Sequence, residues 1–373
     1  MKRDLERVEV PGGEHEARER AWGVVTAAFA ERKPIPRPSH WPRVAAVAIA
    51  LSAVVAATVS SPGRAVLDEI REVVGVERAQ PALFSLPAPG RLLVASDEGV
   101  WIVQQDGSKR LLGDYREASW SPFGRFVIAA GDNELAALEP DGDVRWSLAR
   151  RGPRSPSWTG SETDTRIAYL TTTRVHVVGG DGTGDADAGG PSHRVGPVWR
   201  PGTGFTLTHV DTLGRVSAYD IDSGQGPWRP TGRSRSFRGP RKLAWSDDGK
   251  RLLLLTRRQL VLFGSRSQTP LLVRNERLVD AAFRPGSREL AVIRTREGVS
   301  ELLVARRSLF SGTGRFTDLV WSPDGRWLLV GWPAADQWVF VRADGKRIRA
   351  VSNVSAQFRS RSFPGVEGWC CAP

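Results

Sequence analysis

Five histidines, at positions 15, 40, 176, 193 and 209, are the first places to look for acid–base or metal chemistry. None stands in an H-x-x-x-H pair and no cysteine lies near them, so the spacing that zinc ligation needs is missing. Asp181, Asp185 and Asp187, in the run Asp-Gly-Thr-Gly-Asp-Ala-Asp, loosely resemble calcium ligands. Their spacing does not fit an EF-hand loop, and a solvated Gly/Asp loop is the plainer reading. The only two cysteines are adjacent, Cys370-Cys371. Adjacent cysteines rarely bridge each other, because the geometry is unfavourable. They either pair between chains or with a partner, or serve as small buried apolar side chains. The ending Cys-Cys-Ala-Pro is not a prenylation box, since proline is not accepted at its last position. No G-x-S-x-G, P-loop or G-x-G-x-x-G occurs in a strand-to-helix context, and no carboxylate pair stands out for glycoside hydrolysis. The sequence therefore predicts no catalytic residue, no metal ligand and no cofactor.

Arginine is what the chain carries in excess. Lys and Arg number 53 against 41 Asp and Glu, a net charge of +12. The basic residues cluster as Arg150, Arg151 and Arg154; as Arg229, Arg233, Arg235, Arg238, Arg241 and Lys242; and as Arg274 and Arg277. Guanidinium groups ringing a concave surface focus positive potential and attract anions. The competing reading is a solvated surface in a chain that uses arginine in place of lysine. Arg150, Arg151, Arg154, Arg233, Arg235, Arg238, Arg274, Arg277 and the aromatic Trp332 make up the predicted binding face.

The elements that must position these residues are written in a repeat. In Trp321-Ser-Pro-Asp-Gly-Arg-Trp-Leu-Leu-Val330 an apolar run ends in an aromatic, turns tightly, and returns as an apolar strand. Proline presets φ in the turn and glycine supplies φ > 0. Related hairpins are Trp120-Ser-Pro-Phe-Gly-Arg, Trp245-Ser-Asp-Asp-Gly-Lys-Arg and Phe283-Arg-Pro-Gly-Ser-Arg, with weaker copies at Trp158 and Trp199. The anchors Trp120, Trp158, Trp199, Trp245, Phe283 and Trp321 recur at about 40-residue intervals, the period of a propeller blade. Further aromatics fall near the same register at Phe84 and Phe358. Asp-Gly pairs at 106, 141, 181 and 344 mark a second hairpin in several units. The units resemble the WD-repeat-like repeats of TolB-type β-propellers, whose hallmark is W-S-P-D-G at the first turn. The resemblance spans about residues 84–358 and implies an all-β, seven-bladed propeller of four-stranded blades. Either Phe84 or Phe358 is expected to lie on the inner strand that closes the ring.

Antiparallel strands a to d place the a–b and c–d turns on one face of the disc and the b–c and d–a loops on the other. The first face repeats the same tight turns. The second varies from blade to blade, and function is expected there. Its b–c loops carry Asp97/Glu98, Asp132/Asn133, Arg257/Arg258 and Trp332/Asp336.

Ahead of the repeats lie three other segments. Residues 1–43 are charged, with an amphipathic stretch over 14–31 and a proline-rich linker. Residues 44–63 contain no charge, and twenty helical residues span the hydrocarbon core of a bilayer. A transmembrane helix is the expectation, against a signal peptide or a buried core helix. Arg32, Lys33, Arg37 and Arg43 place the N-terminus in the cytoplasm and the propeller outside. Residues 64–81 read as a juxtamembrane amphipathic helix, 82–360 as the propeller and 361–373 as a tail. The expected function is a membrane-anchored, non-catalytic binding or sensing module for a protein or an anionic envelope polymer. A span makes nucleic acid an unexpected partner. Two alternatives stay open: a transmembrane regulator whose tail holds a cytoplasmic factor, as in the layout of anti-sigma factors, and an envelope hydrolase or lyase.

Overall fold

The Trp-Ser-Pro-Asp-Gly turns form as their residue types require. In the turn after Trp321, the Ser322 hydroxyl donates to Asp324 Oδ1 at 2.5 Å and accepts the Trp327 N–H at 2.9 Å. Asp324 Oδ1 also accepts the Arg326 N–H at 3.0 Å, and Gly325 closes the turn at φ +64°. The same set recurs around Ser246 and Asp248. Serine and aspartate thus satisfy backbone N–H groups that the tight turn leaves unpaired.

A computed structural model describes residues 76–80 and 85–371, apart from 173, 193, 203, 222–227, 265–267 and 273–276. Its described residues form seven sheets, the blades, each built on four antiparallel strands. From the inner strand outwards, blade 2 contains Glu117–Trp120, Val127–Ala130, Glu134–Leu138 and Val144–Ala149. Blade 3 contains Arg154–Gly160, Thr165–Leu170, Arg174–Gly179 and Ala186–Pro191. The inner strands of blades 4 to 7 are Val198–Trp199, Pro240–Trp245, Arg277–Phe283 and Thr317–Trp321. Each inner strand touches the inner strands of both neighbouring blades, so the seven encircle one axis. The chain is a seven-bladed, all-β propeller of four-stranded blades.

Blade 1 is built from both ends of the ring. Its second, third and fourth strands are Arg91–Ser96, Gly99–Val103 and Lys109–Gly113; its inner strand is Gly365–Cys370, antiparallel to Arg91–Ser96. The closing strand is thus later than either predicted aromatic, inside the segment expected to be a tail. Phe84 lies outside the described residues. Phe358 follows a one-turn helix, Val354–Gln357, and is fully buried against Trp101 and Trp338. It fills the seam between blades 7 and 1 without lying in a strand. The anchor of the closing strand is Trp369, 7% exposed.

The strands Trp327–Trp332 and Leu252–Thr256 are buried along their whole length. A blade's middle strands are covered by a neighbouring blade on each side, so both faces must be apolar. The outer strands are not so covered, and Val144–Ala149 and Pro230–Ser236 are half-exposed to exposed throughout. Blade 7 gains a fifth strand, Val76–Gln80, parallel to Ile348–Ser352. These five residues fall in the predicted juxtamembrane helix; pairing covers a sheet edge that would otherwise be open. The rest of that segment and the predicted span at 44–63 lie outside the described residues. Among the described residues, no helix is long and apolar enough to cross a membrane.

Candidate functional site

The inner strands bring one set of equivalent positions, all but one of them polar, together at the axis. Three positions before each anchor stand Glu117, Ser155, Gly196, Lys242, Asp280 and Asp318; a bulge in the closing strand puts Glu367 two before Trp369. These residues tie neighbouring blades. The Ser155 N–H donates to Glu117, Lys242 Nζ donates to Asp280 Oδ1 at 2.7 Å, and the Leu319 N–H donates to Asp280 Oδ2 at 3.1 Å. Glu367 is solvent-exposed at the axis, but the crowding of the surrounding inner strands, with Glu117 and Asp318 nearby, pushes its carboxyl up to about 8. Burial, with Asp280 adding to it, raises Asp318 to about 6. Among the described residues, no group of three His, Cys, Asp or Glu is arranged to hold a metal.

On the loop face the predicted arginines are dispersed. Arg150 pairs with Asp185 and donates to Tyr169 Oη at 3.2 Å, bridging blades 2 and 3. Asp185 is 7% exposed in its side chain. Burial opposes its ionisation, but His176 Nδ1 at 3.7 Å and hydrogen bonds from Arg150 and Tyr169 hold it at about 2. Asp185 is thus an interior ion-pair partner, while Asp181 shapes the 179–183 turn and Asp187 pairs with Arg174. Arg151 is exposed in the d–a loop. Arg154 sits in an inner strand and donates to the Thr171 carbonyl at 3.3 Å. Arg233 and Arg235, expected in a d–a loop, are on the outer strand Pro230–Ser236, and the loop proper holds only Arg238 of the predicted set. Arg277 begins the inner strand of blade 6. Arg274 lies outside the described residues. Trp332 is not a surface aromatic: it is 5% exposed, donates to the Thr313 carbonyl at 2.8 Å, and packs edge-on against Phe310 and Phe316.

The acids of the b–c loops hold neighbouring loops. Asp97 accepts the Arg361 and Ser362 N–H groups at 2.8 and 2.9 Å and the Ser362 hydroxyl at 2.6 Å, which holds its carboxyl at about 2. Asp336 accepts the Ser355 N–H at 2.9 Å. Both are consumed in building the approach to the closing strand.

The turn face is engaged in closure. Arg91 donates to the Gly124 carbonyl at 2.6 Å with its guanidinium 4.9 Å from the Trp120 ring centre. Arg200 donates to the Gly249 carbonyl at 2.8 Å and lies over Trp245. Arg284 lies over Trp321. In each case an arginine at one blade's first turn clamps the anchor of the next blade. Cys370 and Cys371 are bonded to each other, contrary to the expectation for adjacent cysteines. Cys370 ends the closing strand and Cys371 follows it, packing against Gly124. A cleft of about 470 Å³ between blades 3 and 4 is lined by Asp164, Arg166, Asp181, Thr183 and Trp228. Its charged groups are engaged: Asp164 pairs with Arg166, and Asp181 accepts from Thr183.

No family model matches the sequence, and no curated relative matches it. Solved propellers do match the fold. A putative 6-phosphogluconolactonase from Bacteroides uniformis aligns with TM-score 0.51 and 12% identity over 70% of this chain and 95% of its own. The Hsv2 protein of Kluyveromyces lactis aligns with TM-score 0.51 and 10% identity over 71% and 94%. The Cps50 (Swd1) β-propeller domain of Myceliophteria thermophila aligns with TM-score 0.50 and 11% identity over 64% and 86%. At these identities the likeness defines the class of protein, a β-propeller with WD-repeat neighbours, and nothing finer.

Proposed function

We propose that this chain is a TolB-type propeller, anchored by residues 44–63 and displayed outside the cytoplasm, which binds a protein or anionic envelope polymer without transforming it. The observation that carries the reading is the inequality of the two faces. The turn face is occupied by arginine clamps between blades. On the loop face Arg150 and Arg241 also bridge blades, but that face presents in addition Arg151, Arg238 and Arg277, exposed arginines that form no such clamps. A rigid ring with varied loops on one face is suited to recognition.

Topology reporters after Arg37 and Pro373 test the location. A fluorescent reporter active at Arg37 and an alkaline phosphatase active at Pro373 are expected. Both active on the same side would refute the anchor. The binding role is tested by retention of envelope components on the full-length protein at low salt. Failure to retain any component above a charge-matched control would refute it.

A further inference from the structure

We infer that Arg241, Arg257, Arg277 and Arg315 form a binding site for a phosphate group on the loop face, where blades 5, 6 and 7 meet. The inference rests on the binding-module reading above and deepens it by naming the ligand chemistry.

Three of the four arginines converge on a single residue, Leu278. Nη1 of Arg241 donates to the Leu278 carbonyl at 3.2 Å, across the boundary from blade 5 to blade 6. The Leu278 N–H donates to the Arg257 carbonyl at 3.0 Å, which draws the b–c loop of blade 5 to the same place. Arg277 precedes Leu278 in the chain. Arg315, entering the inner strand of blade 7, is close enough that it, Arg257 and Arg277 all disfavour the charge on Arg241, after desolvation. All four are exposed.

No carboxylate among the described residues forms an ion pair with any of the four. The one acid that offsets charge on Arg241 is Asp280. Its oxygens already accept from Lys242 Nζ, the Ala281 N–H and the Leu319 N–H. The Leu278 backbone thus holds Arg241, Arg257 and Arg277 together, with Arg315 near enough to repel Arg241 and no acid left to compensate them. Other arginines of the ring are paired with a carboxylate, as Arg150 is with Asp185 and Arg294 with Glu301, whereas these four lie close together without one. A guanidinium offers a planar fork of donors that fits two oxygens of a tetrahedral anion, and several forks around one point select phosphate over a lone carboxylate.

The test is titration of the full-length protein in mild detergent with inorganic pyrophosphate, against sodium chloride of matched ionic strength. One saturable site is expected. The double variant Arg257→Ala/Arg315→Ala should bind roughly tenfold more weakly or worse. Arg306→Ala/Arg347→Ala, which removes two exposed arginines from c–d turns on the opposite face, should bind as the parent does. Vesicles of phosphatidylcholine with and without phosphatidic acid separate a lipid-borne phosphate from a free one. Binding to either source that is lost in the first double variant and kept in the second supports the site. Absence of saturable binding to both sources, or equal weakening in the two double variants, overturns it. Without ligand, Arg257→Ala/Arg315→Ala should melt no lower than the parent, since it relieves repulsion; a marked loss of stability would assign these arginines to the scaffold and overturn the site. Retention of an envelope component undiminished by Arg257→Ala/Arg315→Ala would overturn this site while leaving the broader binding role standing.

Discussion

Trp369 Nε1 donates to the Pro89 carbonyl at 3.2 Å, across 280 residues of chain. Between them the two residues rebuild, from separate ends, the aromatic-then-turn unit that elsewhere is continuous. Trp369 and Cys370 supply its first half; Pro89, Gly90 and Arg91 supply its second. Trp369 also packs edge-on against Phe340 of blade 7, so it joins three segments. Trp369→Ala should cost about 3–5 kcal/mol, the usual cost of emptying a buried aromatic site. Trp158→Ala, at a half-buried anchor in a continuous blade, should cost less. Urea denaturation of the two variants checks the order; equal losses would mean that the seam bears no special share of the stability.

Gly90 offers a finer test of the same seam. It has φ +108°, and a Cβ there would lie 2.6 Å from the Cys370 carbonyl oxygen. Gly142 has φ +100°, but a Cβ there would meet nothing within 4 Å. Gly142→Ala should therefore carry only the backbone cost, about 1–2 kcal/mol. Gly90→Ala adds a backbone collision that no side-chain rotation can relieve, and its midpoint in urea should fall further. The comparison separates strain at one residue from displacement of the closing strand.

The ring is legible in the sequence because its repeats are spelled in residues that act locally. Ser322, Asp324 and Gly325 each satisfy or permit one feature of a turn. The closing strand is not legible in that way, because its hallmark is divided. Trp369 is followed by cysteines and not by Ser-Pro-Asp-Gly, and Pro89-Gly90-Arg91 has no aromatic two or three residues before it. A search for the unit with its halves allowed to come from opposite ends would find both. The arginine positions are harder to read. Arg233 and Arg235 alternate with small polar residues on an outer strand that is exposed along its length, so no change of pattern marks where strand ends and loop begins. Trp332 is misleading for the opposite reason. It ends a strand whose every residue is buried, and aromatics at strand ends often reach the surface.

Cys370 and Cys371 bond to each other, so neither is free to join two chains. Protein purified without reductant should run as a monomer on a non-reducing gel, with an intact mass lower by two hydrogens than after reduction. A disulfide-linked dimer would contradict the pairing. Because Cys371 packs against Gly124 and Cys370 against the apolar cluster around Leu93 and Trp120, Cys370→Ser/Cys371→Ser should lower the melting temperature.

Glu367 makes the closing strand sensitive to alkali. Its carboxyl is solvent-exposed, but the crowding of the inner strands around it, and then Glu117 and Asp318, raise it from 4.5 to about 8. The folded protein therefore holds a proton that the unfolded chain releases from about 4.5 upwards. Stability should fall as pH rises from about 4.5 to about 8 and level off beyond. Asp318, raised to about 6, adds a slope of the same sign at lower pH. Glu367→Gln should flatten the profile of melting temperature between about pH 6 and 8 and leave a weaker slope below it. A slope unchanged in that variant would place its origin elsewhere.

His209 gives the opposite dependence. It is fully buried in blade 4, stacked on Tyr219 at 5.1 Å between ring centres, and neither ring nitrogen has a hydrogen-bond partner. Burial lowers its pKa from 6.5, so the folded protein keeps the imidazole neutral while the unfolded chain takes up a proton. Stability is then fully present above about 6.5 and is lost as pH falls below it. Phenylalanine has nearly the same outline and no polar atoms to leave unsatisfied. His209→Phe should stabilise the propeller by about 1 kcal/mol at pH 7 and remove part of the acid sensitivity. Urea denaturation of the parent and the variant at about pH 5 and pH 7 measures both effects. A variant less stable than the parent at both values would show that His209 has a partner whose loss outweighs the gain.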